Sequence, residues 1–447
     1  MPSSIDPNVV ARVLDRLAPA NEAFRARYPG EPATRQPIHT VYGGAQLYTA
    51  ETPQKLGELG RRVFDEYAPD PQRLGDALGL PADEKLRAAV HARTGERLDA
   101  MPVEDFRIDF EDGFGIRPDP EEDHHAERAA REVARAMREG TLPPWIGIRI
   151  KTFSDELKRR AARTLDLFVS TLLGETGGKL PENFVVTVPK VVIPAQVTAA
   201  VALLEALESV HGLDRGALRM ELMVETTQAI IGPDGRCPLP AMLDACAGRC
   251  VGAHFGTYDY TASAAVTARY QEMDHPSCDF AKHVMMNAFA GTGIFLSDGA
   301  TNVMPAPPHK GSDLTDAQRD ENRRVVWGAW RTSYGHIRHS LRTGYYQGWD
   351  LHPGQLPVRF AACNAFFLEG FEAASLRLGN FIDKAAQATL VGDVFDDAAT
   401  GQGLLNYFLR ALNAGAVTID DVTAVGLTPD EIRGRSFLKI LENRRGR

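Results

Sequence analysis

Two short apolar runs in the middle of this chain each close on a lone carboxylate: LRMELMVETTQAII on Glu225, and CVGAHFGTYDYTASA on Asp259. Burying one carboxylate at a strand end costs free energy unless something pairs with it. Two of them, closing successive strands, point to a shared divalent cation. Oxygen donors suit a hard ion such as Mg²⁺ (or Mn²⁺), which keeps several waters and needs only one or two protein carboxylates. The remaining positions would go to substrate oxygens. Structural pairing of each acid with Arg or Lys gives the same pattern, and the spacing does not separate the two.

Other polar residues interrupt apolar runs in the same way. Arg149 in IGIRIKTF has the planar fork that grips a carboxylate bidentately, or that pairs with Glu111 or Asp112. Lys190 in VVTVPKVVI is either a Schiff-base lysine, since burial depresses a lysine pKa, or a salt-bridge member; the second is the commoner use of such a residue. Glu111 and Asp112, which end IDFED, could orient metal-bound waters or form an Arg-paired acidic strand end. Gly113 and Gly115 permit close backbone approach to a ligand, although Gly-x-Gly alone is a weak phosphate signal. Cys237, Cys246 and Cys250 lack the paired C-x-x-C knuckles of a zinc site and read as small core residues.

These residues need a scaffold that gathers strand ends. Strand-like segments are expected at Arg35–Ala50, Phe106–Phe110, Trp145–Ile150, Phe184–Ile193, the two runs ending near Glu225 and Asp259, Gly293–Ser297 and Tyr345–Leu351. Helical segments alternate with them. Asp119, with Pro120 and Glu122 behind it, reads as a helix cap, and Thr315–Gln318 as a capping box. Eight alternations predict parallel strands with crossover helices closed into a (β/α)₈ TIM barrel, in which catalytic groups sit at the C-terminal strand ends. A doubly wound open sheet is the fallback. The expected organisation is a helical arm over 1–35, a barrel over 36–360 with an insertion near 69–102, and a C-terminal helical extension or lid over 361–447.

Composition narrows the partners. A net charge of −9, with no basic stripe, argues against nucleic acid and anionic membranes. No apolar run is long enough to span a bilayer, and MPSSIDPNVVARVL lacks the layout of a secretory signal. Five cysteines in 447 residues fit a reducing cytoplasm.

Taken together, six segments resemble the citrate lyase β-subunit-like branch of the HpcH/HpaI aldolase group, in the phosphoenolpyruvate/pyruvate barrel superfamily that includes malate synthase. They are IDFEDGFGIRPDPEED, IGIRIKTF, VTVPKVV, LMVETTQAII, HFGTYDYTAS and YQGWDLHPGQL. The resemblance implies metal ligands at Glu225 and Asp259 and a carboxylate-binding arginine at Arg149. It also implies substrate contacts from Lys190, Gly256 and Thr257. LVGDVFDDAATGQGLL loosely resembles a C-terminal lid segment, which would make Asp396 (or the adjacent Asp397) a catalytic acid acting on a neighbouring subunit. The implied activity is a Mg²⁺-dependent carbon–carbon lyase or Claisen/aldol-type condensation on a 2-oxo acid, hydroxy acid or acyl-CoA, in a homo-oligomer (trimer or hexamer). Phosphoryl transfer on a phosphoenolpyruvate-type substrate is the rival within enzymes; a non-catalytic binding protein on the same barrel is the rival outside them. Asp393 stands where that family usually has Lys, and Phe110 and Tyr258 replace commoner neighbours of the key acids, so coenzyme A use does not follow from the resemblance.

Overall fold

The structure, a computed structural model, describes residues 4–32, 34–383, 389–391, 394–396 and 398–445, with the side chains of 4–32, 34–380 and 400–444. Eight parallel strands run in chain order: β1 (His39–Gly44), β2 (Asp105–Asp109), β3 (Trp145–Arg149), β4 (Phe184–Val188), β5 (Arg219–Val224), β6 (Cys250–Phe255), β7 (Phe295–Ser297) and β8 (Gly348–Asp350). Each pairs with its sequence neighbour, and β8 returns to β1. The gap between β7 and β8 is bridged just past β7. There Asp298 N–H donates to the Gln347 carbonyl at 2.8 Å, and Trp349 N–H donates to the Gly299 carbonyl at 2.9 Å. The sheet is therefore a (β/α)₈ barrel.

Period-two alternation explains how the strands face. Phe106 and Ile108, Ile146 and Ile148, Val186 and Val188, Leu222 and Val224, and Ala253 and Phe255 pack into the apolar layer under the helices. The alternate residues meet across the barrel interior. Arg107 on β2 donates from Nε to Thr187 Oγ1 on β4 at 3.1 Å and to Glu221 Oε2 on β5 at 3.0 Å. Trp349 on β8 donates from its indole nitrogen to Nδ1 of His254 on β6 at 3.0 Å. An indole N–H only donates, so Nδ1 of His254 is the unprotonated nitrogen, and its Nε2–H faces Glu221 Oε1 at 3.0 Å.

The remaining segments form a helical layer outside the barrel. Pro71–Leu78 and Glu84–Ala100, from the long connection between β1 and β2, pack with Asp316–Arg342 and Leu356–Asp383. Ala398–Asn413 packs on Leu356–Asp383 and against Phe437–Arg445. The helix Pro7–Arg27 buries none of its residues. No helix among the described residues is long and apolar enough to cross a membrane.

Two local expectations change. Thr315 caps its helix as a capping box with Gln318, but Asp119 does not cap. The helix runs Asp119–Glu139 with Pro118 at the cap position, and Asp119, Glu121 and Glu122 lie in its first turn, where acids complement the helix dipole. The last two strands are also shorter than their apolar runs, three residues each.

Candidate active site

The register of β2 against β3 sets Asp109 directly beside Arg149. Both side chains face inward. The arginine fork closes on the aspartate with Nε to Oδ1 at 2.7 Å and Nη2 to Oδ2 at 2.5 Å. Its third nitrogen, Nη1, is turned to Glu111 Oε2 at 3.2 Å and Asp112 Oδ2 at 3.6 Å. The guanidinium lies 5.1 Å from the ring centroid of Tyr42 on β1, and is buried. Asp109 also accepts from the backbone N–H groups of Glu111 and Gly113, at 2.9 and 2.7 Å, and so shapes the turn that carries Glu111 and Asp112.

Lys190 follows β4 in the left-handed region, φ +51°, a costly conformation for a non-glycine residue. The turn gives this one residue two tasks. Its backbone N–H donates to Glu225 Oε1 at 2.8 Å, and its ammonium reaches Glu111 Oε1 at 2.5 Å, Asp259 Oδ2 at 3.2 Å and Asp112 Oδ2 at 3.3 Å. Glu225, just past β5, is buried, whereas Asp259 keeps 38 % of its side chain exposed. Gly256 lies against Glu225: a Cβ there would stand 2.3 Å from Oε2, so only glycine leaves the carboxylate its place.

The electrostatics follow from this crowding. Burial pushes the Glu225 carboxyl up to about 8; Lys190 opposes the rise and the neighbouring Asp259 adds to it. Burial likewise raises Glu111 to about 7 against the pull of Arg149, with its bond to Asp112 adding to the rise. Burial works against the Lys190 ammonium, but Glu225 and Glu111 outweigh it and hold its pKa above the ordinary lysine range. Five carboxylates (Asp109, Glu111, Asp112, Glu225, Asp259) thus face two fixed cations. The donor set is all oxygen and over-supplied with negative charge, which fits a hard divalent ion.

Of the residues singled out from sequence, Glu111, Asp112, Arg149, Lys190, Glu225, Gly256 and Asp259 come together at the C-terminal strand ends. Thr257, next to Gly256, is buried; its hydroxyl lies against Gly299 and has no hydrogen-bond partner among the described residues. Asp396 ends a short strand, Val394–Asp396, paired antiparallel with Thr389–Val391; its side chain, and Asp397 altogether, lie outside the described residues. Asp298 is buried in a pair with Lys282 at 2.9 Å, and His352 accepts from the Gly354 N–H at 3.0 Å. The cysteines are free thiols, and Cys246 and Cys250 donate to backbone carbonyls.

Sequence reasoning missed Asp109, the principal partner of Arg149. It also missed the Arg107–Glu221–His254 layer beneath the site. The signal was present: in DFRID, charges at 105, 107 and 109 recur with period two inside an otherwise apolar strand. Among the described residues, one group brings three ligand atoms within 4.8 Å of one another, namely Glu272, Asp274 and His336, with both acids exposed.

Comparison with solved structures gives a barrel of the same kind at low identity. A citrate lyase from Burkholderia xenovorans LB400 matches at TM-score 0.53 and 20% identity, covering 78% of this chain and 94% of that one. Malate synthase from Haloferax volcanii in a magnesium/glyoxylate complex matches at TM-score 0.46 and 14% identity, over 90% of this chain and 97% of the other. At 20% identity the likeness to the citrate lyase is one of fold alone. No curated protein matches the chain. A family profile does, over residues 17–440, which is nearly the whole sequence, and the chain accordingly belongs to the family described as "Domain of unknown function (DUF6986)".

Proposed function

We propose that this protein is a Mg²⁺- or Mn²⁺-dependent carbon–carbon lyase, or the corresponding Claisen/aldol-type condensing enzyme, acting on a 2-oxo acid or its hydroxy-acid product, with an acyl-CoA as one candidate partner substrate. One observation carries the reading. The buried carboxyl of Glu225, raised to about 8, and Asp259 share Lys190 at the ends of successive barrel strands, with more negative charge than the fixed cations balance. Likeness in fold to a citrate lyase is consistent with it. The resemblance of LMVETTQAII and HFGTYDYTAS to the aldolase group implies the same two residues as ligands.

Glu225 and Asp259 would hold the ion, with Glu111 and Asp112 turned to its waters. When bound, the ion supplies a Lewis acid that stabilises the negative charge developing on the oxygen of a 2-oxo acid as the carbon–carbon bond breaks or forms. Asp109 fixes the plane of Arg149, which leaves Nη1 as the donor aimed toward the acidic turn and available to a substrate carboxylate. Lys190 adds a second positive charge on the same side. Asp396 is the proposed acid/base of the C-terminal segment.

Solvent-proton exchange at C3 of pyruvate and longer 2-oxo acids, followed by NMR with and without Mg²⁺, tests the reading without requiring the natural substrate. Metal-dependent exchange is expected in the wild type and is lost in Glu225→Gln and Asp259→Asn. Exchange and Mg²⁺ binding unchanged in both variants would refute the assignment.

A further inference from the structure

Outside the strand-end cluster, one set of side chains has ligand chemistry and no role so far. The connection from β6 to β7 passes through Glu272, Met273 and Asp274. Met273 is buried, so its two neighbours turn outward, and Glu272 and Asp274 are exposed. The loop is held from beneath. Buried Lys282 donates from Nζ to the Met273 carbonyl at 3.0 Å, and His275 N–H and Cys278 Sγ donate to the Glu272 carbonyl at 3.2 and 3.4 Å. Against this loop stands His336, on the helix Asp316–Arg342, with only 7% of its surface exposed. One ligand atom from each of the three residues lies within 4.8 Å of the other two.

A buried histidine is ordinarily a satisfied core residue, and here one nitrogen is satisfied. Nδ1 lies 2.9 Å from Thr301 Oγ1. The Thr301 hydroxyl has Met273 Sδ at 3.5 Å to receive its own proton, which lets its oxygen accept from Nδ1–H and leaves Nε2 as the lone-pair nitrogen. Nε2 makes no hydrogen bond among the described residues and faces Asp274 Oδ1 at 3.5 Å. That is long for a hydrogen bond, whereas two donors about 2.0–2.2 Å from a tetrahedral ion stand roughly 3.4 Å apart. Among the described residues, neither acid is ion-paired with a lysine or an arginine. Two exposed acids alone would be a solvated surface; the buried imidazole aimed at them makes the difference.

We propose that Glu272, Asp274 and His336 bind one divalent transition-metal ion of the zinc class, with Thr301 as the positioning residue that orients the imidazole. One imidazole nitrogen with two carboxylate oxygens suits Zn²⁺ better than Mg²⁺, and three protein ligands leave a fourth position to water. A hydrogen bond on the far nitrogen is the usual support of a metal-bound histidine. The site shares no residue with the strand-end cluster and binds whether or not that cluster holds Mg²⁺. Its ion would fasten the β6–β7 connection to the helix that precedes β8.

The test uses the full chain with Zn²⁺ as the probe, in a Glu225→Gln/Asp259→Asn background that removes the competing strand-end carboxylates without removing buried volume. Equilibrium dialysis with metal analysis is expected to count one Zn²⁺ per chain, and X-ray absorption at the zinc edge to show one imidazole among oxygen donors. Adding Glu272→Gln/Asp274→Asn, at two exposed positions that leave the core intact, should abolish that binding, as should His336→Ala. Thr301→Val should weaken it about 10- to 100-fold, and Thr301→Ser should restore it. No bound Zn²⁺, a bound ion without an imidazole ligand, or equal affinity after Glu272→Gln/Asp274→Asn overturns the proposal.

Discussion

Cation binding at the strand-end cluster should release a proton, in an amount set by Glu225. Its carboxyl is raised by burial to about 8, so at pH 7 roughly nine-tenths of the population carries a proton there. A carboxylate must be ionised to ligate a metal. Binding of Mg²⁺ at pH 7 should then expel close to one proton per ion from Glu225 alone, and apparent affinity should rise about tenfold per pH unit from 6 toward 8 before levelling. The sign follows from the direction of the shift: the apo form holds the proton more tightly than an exposed glutamate does, so lower pH competes with the metal. Isothermal titration calorimetry at pH 7 in two buffers of different ionisation enthalpy reads the proton count directly. In Glu225→Gln the linked proton should vanish along with most of the affinity. Binding that is buffer-independent and flat between pH 6 and 8 would show that Glu225 is not a ligand, or is not held protonated.

Other perturbations bear on the same architecture. Arg149→Ala leaves Asp109 buried without its partner and should cost about 3–5 kcal/mol by thermal or urea denaturation. Gly256→Ala drives a methyl group into the Glu225 carboxylate; calorimetry should show at least a roughly tenfold loss of Mg²⁺ affinity, the usual effect of disturbing a ligand's support. His336→Ala, in the Glu272–Asp274–His336 group, should leave Mg²⁺ affinity and 2-oxo acid exchange unchanged if the strand-end cluster is the cofactor centre. Burial disfavours ionised Glu221, but Arg107 and His254 outweigh it and hold the pKa below the usual range. Its contribution to stability is thus present above the unfolded-state value and lost as pH falls below it. Glu221→Gln should flatten the acid limb of stability against pH in urea melts.

Much of this was legible in the residues. Eight alternating segments give the barrel because parallel neighbours need crossover helices. Lone carboxylates at the ends of apolar runs fell where barrel geometry puts strand termini. What stayed hidden depends on register. Asp109 reads as one more acid in IDFED, and only its alignment beside Arg149 makes it the fork's partner. The positive φ of Lys190 leaves no mark on VTVPKVV, yet it turns one residue into both a backbone and a side-chain contact. Thr257 adjoins Gly256 in sequence, and only the fold shows that its hydroxyl is buried against Gly299. Pro118 displaced Asp119 from the cap because the chain enters that helix one residue earlier than the capping pattern suggests.

The charged rungs inside the barrel also constrain how this sequence can vary over time. Asp105, Arg107, Glu221 and His254, and above them Asp109 and Arg149, are joined so that each supplies what its neighbour lacks. Losing one member strands a buried charge, whereas replacing a whole set with apolar residues of similar volume can be nearly neutral. Viable change at these positions is therefore collective. A lineage would cross from one interior to another by compensated exchanges, while the aliphatic face of the same strands drifts one methyl group at a time.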